Sequence, residues 1–253
     1  MNYAEIKQTI ISQGTTQIGG CIGYGYSFGK YDDLHNYGAI TVKGSKSSAQ
    51  LSAGGVIGYT RWMVANGEAY VTNCYNHVDI TLSCNGNEKY YAGGVIGYDR
   101  AASSENKGCI PVLDNLVNVG NVTFTKTSNT AYYGGLIGAA NNVATNSKFY
   151  GDITAIGLEG KVGALYGKAR TDAIKVTNSA AGGNIIYSEA TEEDANGDVV
   201  TYGVKTPIDL TMLYQTAIAV SVAEGDGCSL LTSKPAVPAT PAPAPAPEPA
   251  PAE

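Results

Sequence analysis

The sequence predicts an all-β chain folded as a parallel β-solenoid (β-helix) of about five irregular repeats with terminal caps. Three observations carry that expectation. First, a glycine-rich hexapeptide recurs: Gly54-Gly55-Val56-Ile57-Gly58-Tyr59 returns as Gly93-Gly94-Val95-Ile96-Gly97-Tyr98, with looser copies starting at Gly19, Gly134 and Gly163. The intervals between copies are 35, 39, 41 and 29 residues, in the range of stacked repeat units. Second, each hexapeptide is followed, after a variable loop, by a motif anchored on Ile40, Ile80, Val122, Ile153 or Ile185. Third, seven residues before each anchor stands Asp33, Asn73, Asn115, Asn146 or Asn178. Such side chains satisfy their own backbone at tight turns and tolerate a left-handed conformation. Stacked on one another they can also bond as an amide ladder. These five residues are therefore the expected structural ladder at one corner of the coil.

Composition agrees. The chain has 253 residues with 32 Gly and 18 Tyr, against 3 Phe and 1 Trp. Charged residues make up 15%, below the roughly 25% usual in globular domains. Gly, Tyr, Thr, Val and Ile together favour strands and turns. The net charge of −6 would be repelled by a phosphate backbone, which argues against nucleic acid as a partner. No apolar run reaches the length of a membrane-spanning helix. The first residues lack the basic region and apolar core of a signal peptide. That points either to the cytoplasm or to a piece of a longer chain.

Taken in order, residues 1–16 read as an N-terminal cap. Ile6, Ile10 and Ile11 have helix-compatible spacing, so a short helix or an irregular cap is expected there. The repeats occupy residues 17–187. Two residues after each anchor stand Val42, Leu82, Phe124, Ala155 and Tyr187, and period-two spacing puts both columns on the core face of a strand. Between them Thr41, Thr81, Thr123, Thr154 and Ile186 face the other way. In the hexapeptide, Ile22, Ile57, Ile96, Ile137 and Tyr166 are expected in the core. Simple alternation would place Tyr24, Tyr59, Tyr98, Ala139 and Lys168 on that same face, unless the intervening glycine bends the strand. Residues 188–233 read as a hairpin and C-terminal capping segment, with Asn196-Gly197 between β-prone runs as the turn. Residues 234–253 are almost pure Pro-Ala, an extended, disordered tail.

There are five cysteines, Cys21, Cys74, Cys84, Cys109 and Cys228, an odd number that cannot pair completely. Cys21 takes the place of Val56 and Val95, so it reads as a small buried hydrophobe. Cys74 and Cys84 flank one strand and could be bridged.

The repeated Gly-Gly-Val-Ile-Gly-Tyr, with the Asn73-Cys74-Tyr75-Asn76 stretch that follows it, resembles the GLUG-motif repeats of bacterial surface proteins over about residues 17–187. The resemblance implies a secreted or cell-surface, adhesin-like role, with the leader lost by truncation. It brings no catalytic residues.

The residues themselves suggest little chemistry. His35 and His77 flank Asn36 and Asn76 on opposite sides; a metal pair would lack a third ligand, and exposed turn residues are expected. The run Asp194-Ala195-Asn196-Gly197-Asp198 spaces oxygens as a calcium loop begins, but Val199 and Lys205 stand where such a loop needs Gly and Glu. No metal and no cofactor are expected. Tyr24, Tyr59, Tyr98, Tyr91 and Tyr132 are the candidate binding residues. On an exposed face they would offer flat rings to a glycan or a surface protein; otherwise they simply pack from coil to coil. The expected role is a non-enzymatic structural or adhesive module. A polysaccharide-binding or polysaccharide-cleaving β-helix is the alternative, although acids such as Asp32-Asp33 fall in turns rather than along one groove. An ice-binding solenoid using the Thr column is a further alternative.

Overall fold

A computed structural model describes residues 1–10, 14–26, 29–44, 50–62, 69–84, 89–100, 111–127, 131–142, 144–158, 161–169, 178–188, 192–193, 199–200, 205–207 and 229–230. Every regular element among them is a strand. The chain winds as a parallel β-solenoid, visiting four sheets in turn on each coil. In the second coil these strands are Gln50–Gly54, Ile57–Arg61, Tyr70–Asn76 and Ile80–Cys84. The third coil repeats them as Lys89–Gly93, Ile96–Arg100, Val112–Asn118 and Val122–Thr127. The first coil begins at Thr15 and the fifth ends at Ser188.

Coils stack without any shift of register. Ile40, Ile80, Val122, Ile153 and Ile185 pair in sequence down the fourth sheet. Val42, Leu82 and Phe124, two residues on, are buried with Ile40, Ile80, Val122 and Ile153, while Thr41, Thr81, Thr123 and Thr154 stay half-buried on the other side. Like therefore meets like at the strand spacing of about 4.8 Å.

The corner residues behave as their column demands. Asp33, Asn73, Asn115, Asn146 and Asn178 have φ of 53°, 51°, 52°, 52° and 48°, a left-handed bend at the same place in every coil. Their side chains form a mixed ladder. Asn115 Nδ2 donates to Asn73 Oδ1 at 2.7 Å, but Asn73 and Asn146 donate to carboxylates one position earlier, Asp32 at 2.8 Å and Asp114 at 2.6 Å. The continuous amide ladder lies elsewhere, at the end of the same strands. Asn2 donates to Asn36 at 2.8 Å, Asn36 to Asn76 at 2.9 Å and Asn76 to Asn118 at 2.8 Å. Asn36, Asn76 and Asn118 are fully buried, and Asn118 ends the run by donating to the Gly135 carbonyl at 2.9 Å. The hexapeptide glycines make room for this ladder: a Cβ on Gly94 would lie 2.0 Å from Asn118 Nδ2 and 2.1 Å from Gly135 O.

The N-terminal segment is a strand, not a helix. Ile6–Ile10 pairs with Ile40–Gly44, placing Ile6 on Ile40. Its isoleucines four apart fit either periodicity, and the open sheet edge of the first coil decides for the strand. At the other end, Glu192–Glu193 and Val199–Val200 pair antiparallel as the two sides of a hairpin. The partner of Asn184–Ser188 is Lys205–Pro207, also antiparallel. The turn at Asn196-Gly197, the capping stretch 208–223 and the Pro-Ala tail lie outside the described residues. Cys74 is a buried free thiol rather than half of a bridge to Cys84. Burial pushes it up to about 12. Cys21 is half-buried and free, packed against the core.

Two measurements check the two amide columns. Asn76→Ala interrupts the buried ladder and should destabilise the fold by about 2–4 kcal/mol in urea unfolding. At the left-handed corner, Asn115→Ala should cost about 1 kcal/mol more than Asn115→Gly, because only alanine resists positive φ.

Candidate functional site

The bend at the hexapeptide creates the site. Ile57 belongs to the main core, yet Tyr59, two residues on, belongs to a separate cluster with Tyr91, Tyr98 and Ala139. Coil-to-coil register pairs Ile57 with Ile96 and Tyr59 with Tyr98 but skips the glycine between them. The alternation is reset at that glycine, which no side chain could replace: a Cβ on Gly97 would lie 2.6 Å from Ala53 N in the preceding coil. The first and second sheets thus approach at backbone distance. In the first sheet Tyr90 and Ala92 face the main core, so Tyr91 points away, toward the tyrosines of the second sheet.

All five candidate tyrosines meet in one stripe along the solenoid axis. Tyr24 stacks on Tyr59 with centroids 5.1 Å apart, and Tyr59 meets Tyr98 edge-on at 5.3 Å. Tyr98 stacks on Tyr91 at 4.3 Å and Tyr91 on Tyr132 at 5.7 Å. Of the two arrangements open from the sequence, coil-to-coil packing is the one found. Tyr59 and Tyr98 are each 4% exposed and Tyr91 8%; only Tyr24, at 44%, is open to solvent, and Tyr132 is half-buried. Packing between the converging sheets hides the ring faces.

What the stripe leaves open is a groove of about 310 Å³. Among the described residues Tyr91, Tyr98 and Tyr132 line it together with Gln50, and the charged ones are Lys89, Arg100 and Lys168. Arg100 Nη1 donates to Tyr59 Oη at 3.1 Å. Lys168 Nζ donates to Tyr132 Oη at 3.0 Å and sits 4.5 Å from the centre of that ring. The tyrosines therefore hold two of the three cations in place.

A buried carboxylate braces this wall from inside. Asp99 lies between Tyr98 and Arg100 and is fully buried. Trp62 Nε1 and Thr60 Oγ1 donate to its Oδ1 at 2.7 and 3.0 Å. Asn142 donates to Oδ2 from its backbone at 3.0 Å and from its side chain at 2.8 Å, and the Asn141 amide does so at 3.2 Å. Burial raises the Asp99 pKa, and these donors hold it back. The knot ties three coils together at the groove's edge. Sequence reasoning missed it, because its members come from three different columns.

The histidines form a second polar cluster. His35 and His77 are not exposed turn residues: His77 is 8% exposed and His35 half-buried. Asp33 accepts from His35 Nε2 at 3.0 Å, so neutral His35 leaves Nδ1 as an acceptor. His77 Nε2, 3.0 Å away, then carries the donated hydrogen. His77 Nδ1 is left buried without a hydrogen-bond partner. Rings of Tyr37 and Tyr75 stack on the pair, at 4.2 Å from His77 and 4.5 Å from His35. Burial first, and then the neighbouring His35, lower the His77 pKa from 6.5 to about 4. Among the described residues no group of three or more metal-binding side chains assembles.

His77 gives a pH dependence of definite sign. Between about pH 6.5 and 4 the unfolded chain takes up a proton at His77 that the fold refuses, so stability is lost on acidification through that window. Urea unfolding across it should show a falling midpoint, and His77→Phe, which keeps the stack on Tyr37, should flatten the slope.

Nothing among known family models, curated proteins or solved structures matches the chain.

Proposed function

We propose that the chain is a non-enzymatic binding and structural module of a bacterial surface protein, whose solenoid offers the tyrosine groove to a glycan. The observation that carries this reading is the groove's lining. Three tyrosines, a glutamine and three cations line one groove of about 310 Å³. Polar sugar chains are bound by such sets of fixed donors beside aromatic edges. The rigid stacked sheets keep those groups positioned without a ligand, which lowers the ordering cost of binding. Surface location and membership in the GLUG-motif repeats rest on the repeated hexapeptide, and the Pro-Ala tail would act as a spacer.

The lining favours binding over cleavage. Glycoside hydrolysis needs a pair of carboxylates across the bond to be broken. Among the described residues the groove is lined by Gln, Lys, Tyr and Arg and by no Asp or Glu. Asp99, between the lining residues Tyr98 and Arg100, is buried and bonded to five donors.

A glycan array probed with the full chain tests the proposal. The expected result is retention on at least one glycan class and its loss in Tyr132→Ala. A blank array would rule the reading out, and release of shortened or unsaturated sugars from a bound glycan would favour the cleaving alternative.

A further inference from the structure

Resting on the binding reading above, we infer that the groove's ligand is a polyuronate, a sugar chain with repeated carboxylates, laid along the solenoid axis. Charge is the first argument. The whole chain carries −6, yet among the described residues every charged one lining the groove is a cation: Lys89, Arg100 and Lys168. Moreover, Arg61 stands in register beside Arg100 in the preceding coil. Like charges directly opposite across a strand pair are destabilising. In a chain where charge is sparse, an arginine in register with the groove's Arg100 fits an anionic occupant.

Spacing is the second argument. Lys89 and Arg100 belong to the third coil, Tyr132 to the fourth and Lys168 to the fifth. At about 4.8 Å per coil the positive charges are spread over about 10 Å along the axis. A single small anion could not meet both ends. An elongated chain with several carboxylates could, with the tyrosine hydroxyls and Gln50 meeting its hydroxyl groups between them.

The lining also separates a sugar from an acidic peptide. Peptide and protein partners are usually held by an apolar or aromatic anchor seated in a dry pocket. Here Tyr59, Tyr91 and Tyr98 are packed against one another and at most 8% exposed, so they offer a peptide no open aromatic anchor. Both Arg100 and Lys168 are already oriented by tyrosine hydroxyls. Preset donors suit a ligand bound through many polar contacts.

Calorimetry with the full chain tests the inference. The probes are oligogalacturonate and oligomannuronate, the fully methyl-esterified form of each, and polyglutamate. At least one acid oligomer should bind tenfold or more tighter than its ester, and tighter than polyglutamate by a similar factor. Lys89→Gln, Arg100→Gln and Lys168→Gln should each weaken the acid about tenfold. They should weaken ester binding far less than acid binding, while Lys43→Gln, outside the groove, changes neither. Lys89 is exposed, so its variant tests the charge even if one of the others perturbs folding. Equal binding of acid and ester would overturn the inference and leave a neutral glycan reading standing. Polyglutamate binding as tightly as the acid would overturn the sugar class. Binding of no oligomer on a chain that also leaves the glycan array blank would remove both readings.

Discussion

Unshifted stacking of each coil on the next is the constraint from which the rest of this structure follows. It places every residue next to its own column at about 4.8 Å, so a column must consist of residues that tolerate themselves. Isoleucine, threonine, tyrosine, glycine and asparagine do; aspartate and lysine do not, because like charges at that distance repel. The low charged fraction of 15% is thus what in-register stacking requires. Where acids do enter a stacked column, a hydroxyl or amide faces them, as Thr72 and Asn73 do Asp32.

The same constraint allows polar groups inside. A buried amide is costly unless both its donor and its acceptor are met. A column of asparagines meets both, each side chain donating to the next coil and accepting from the one before. That is how Asn36, Asn76 and Asn118 are buried completely. The run stops where the column changes to Phe149 and Ala181, and a backbone carbonyl takes the last hydrogen. Asp99 is satisfied differently, by donors gathered from the coils on both sides of it. Both devices tie coils together through side chains where loops of variable length could otherwise let them drift.

Much of the fold was legible in the sequence because columns show themselves as spacing. The anchor isoleucines, the residues two beyond them and the left-handed Asp33 and Asn residues could be read directly. Other features could not. Ile6 and Ile10 are four apart, which satisfies a helix and a strand alike, and only the sheet edge at Ile40 separates them. The face of Tyr59 depends on a bend at Gly58 that resets alternation, and no pattern of apolar residues announces such a bend. The tyrosines were legible as a set, and their packing from coil to coil as one of two alternatives; what decides it is two sheets closing on each other. The unbroken amide ladder was hidden in plain view, as Asn36, Asn76 and Asn118 mark the strand end in three coils only. The Asp99 knot left no periodic trace at all.

Departures from the repeat matter for function because stacking explains everything that conforms to it. A column of tyrosines is sufficiently accounted for by coil-to-coil packing, and Tyr24, Tyr59 and Tyr98 need no ligand to justify them. In the fourth and fifth coils that column becomes Ala139 and then Lys168. Alanine is buried against Tyr98 and Tyr91, and lysine puts a charge at the end of the column, held by Tyr132. Neither change improves the stacking: alanine gives up aromatic contact, and the lysine is a charge set among rings. The groove is thus bounded by a lysine that breaks its column and by Tyr98, which keeps to it. Its chemistry is carried by the residues that depart from the scaffold, and the regular residues serve to hold them still.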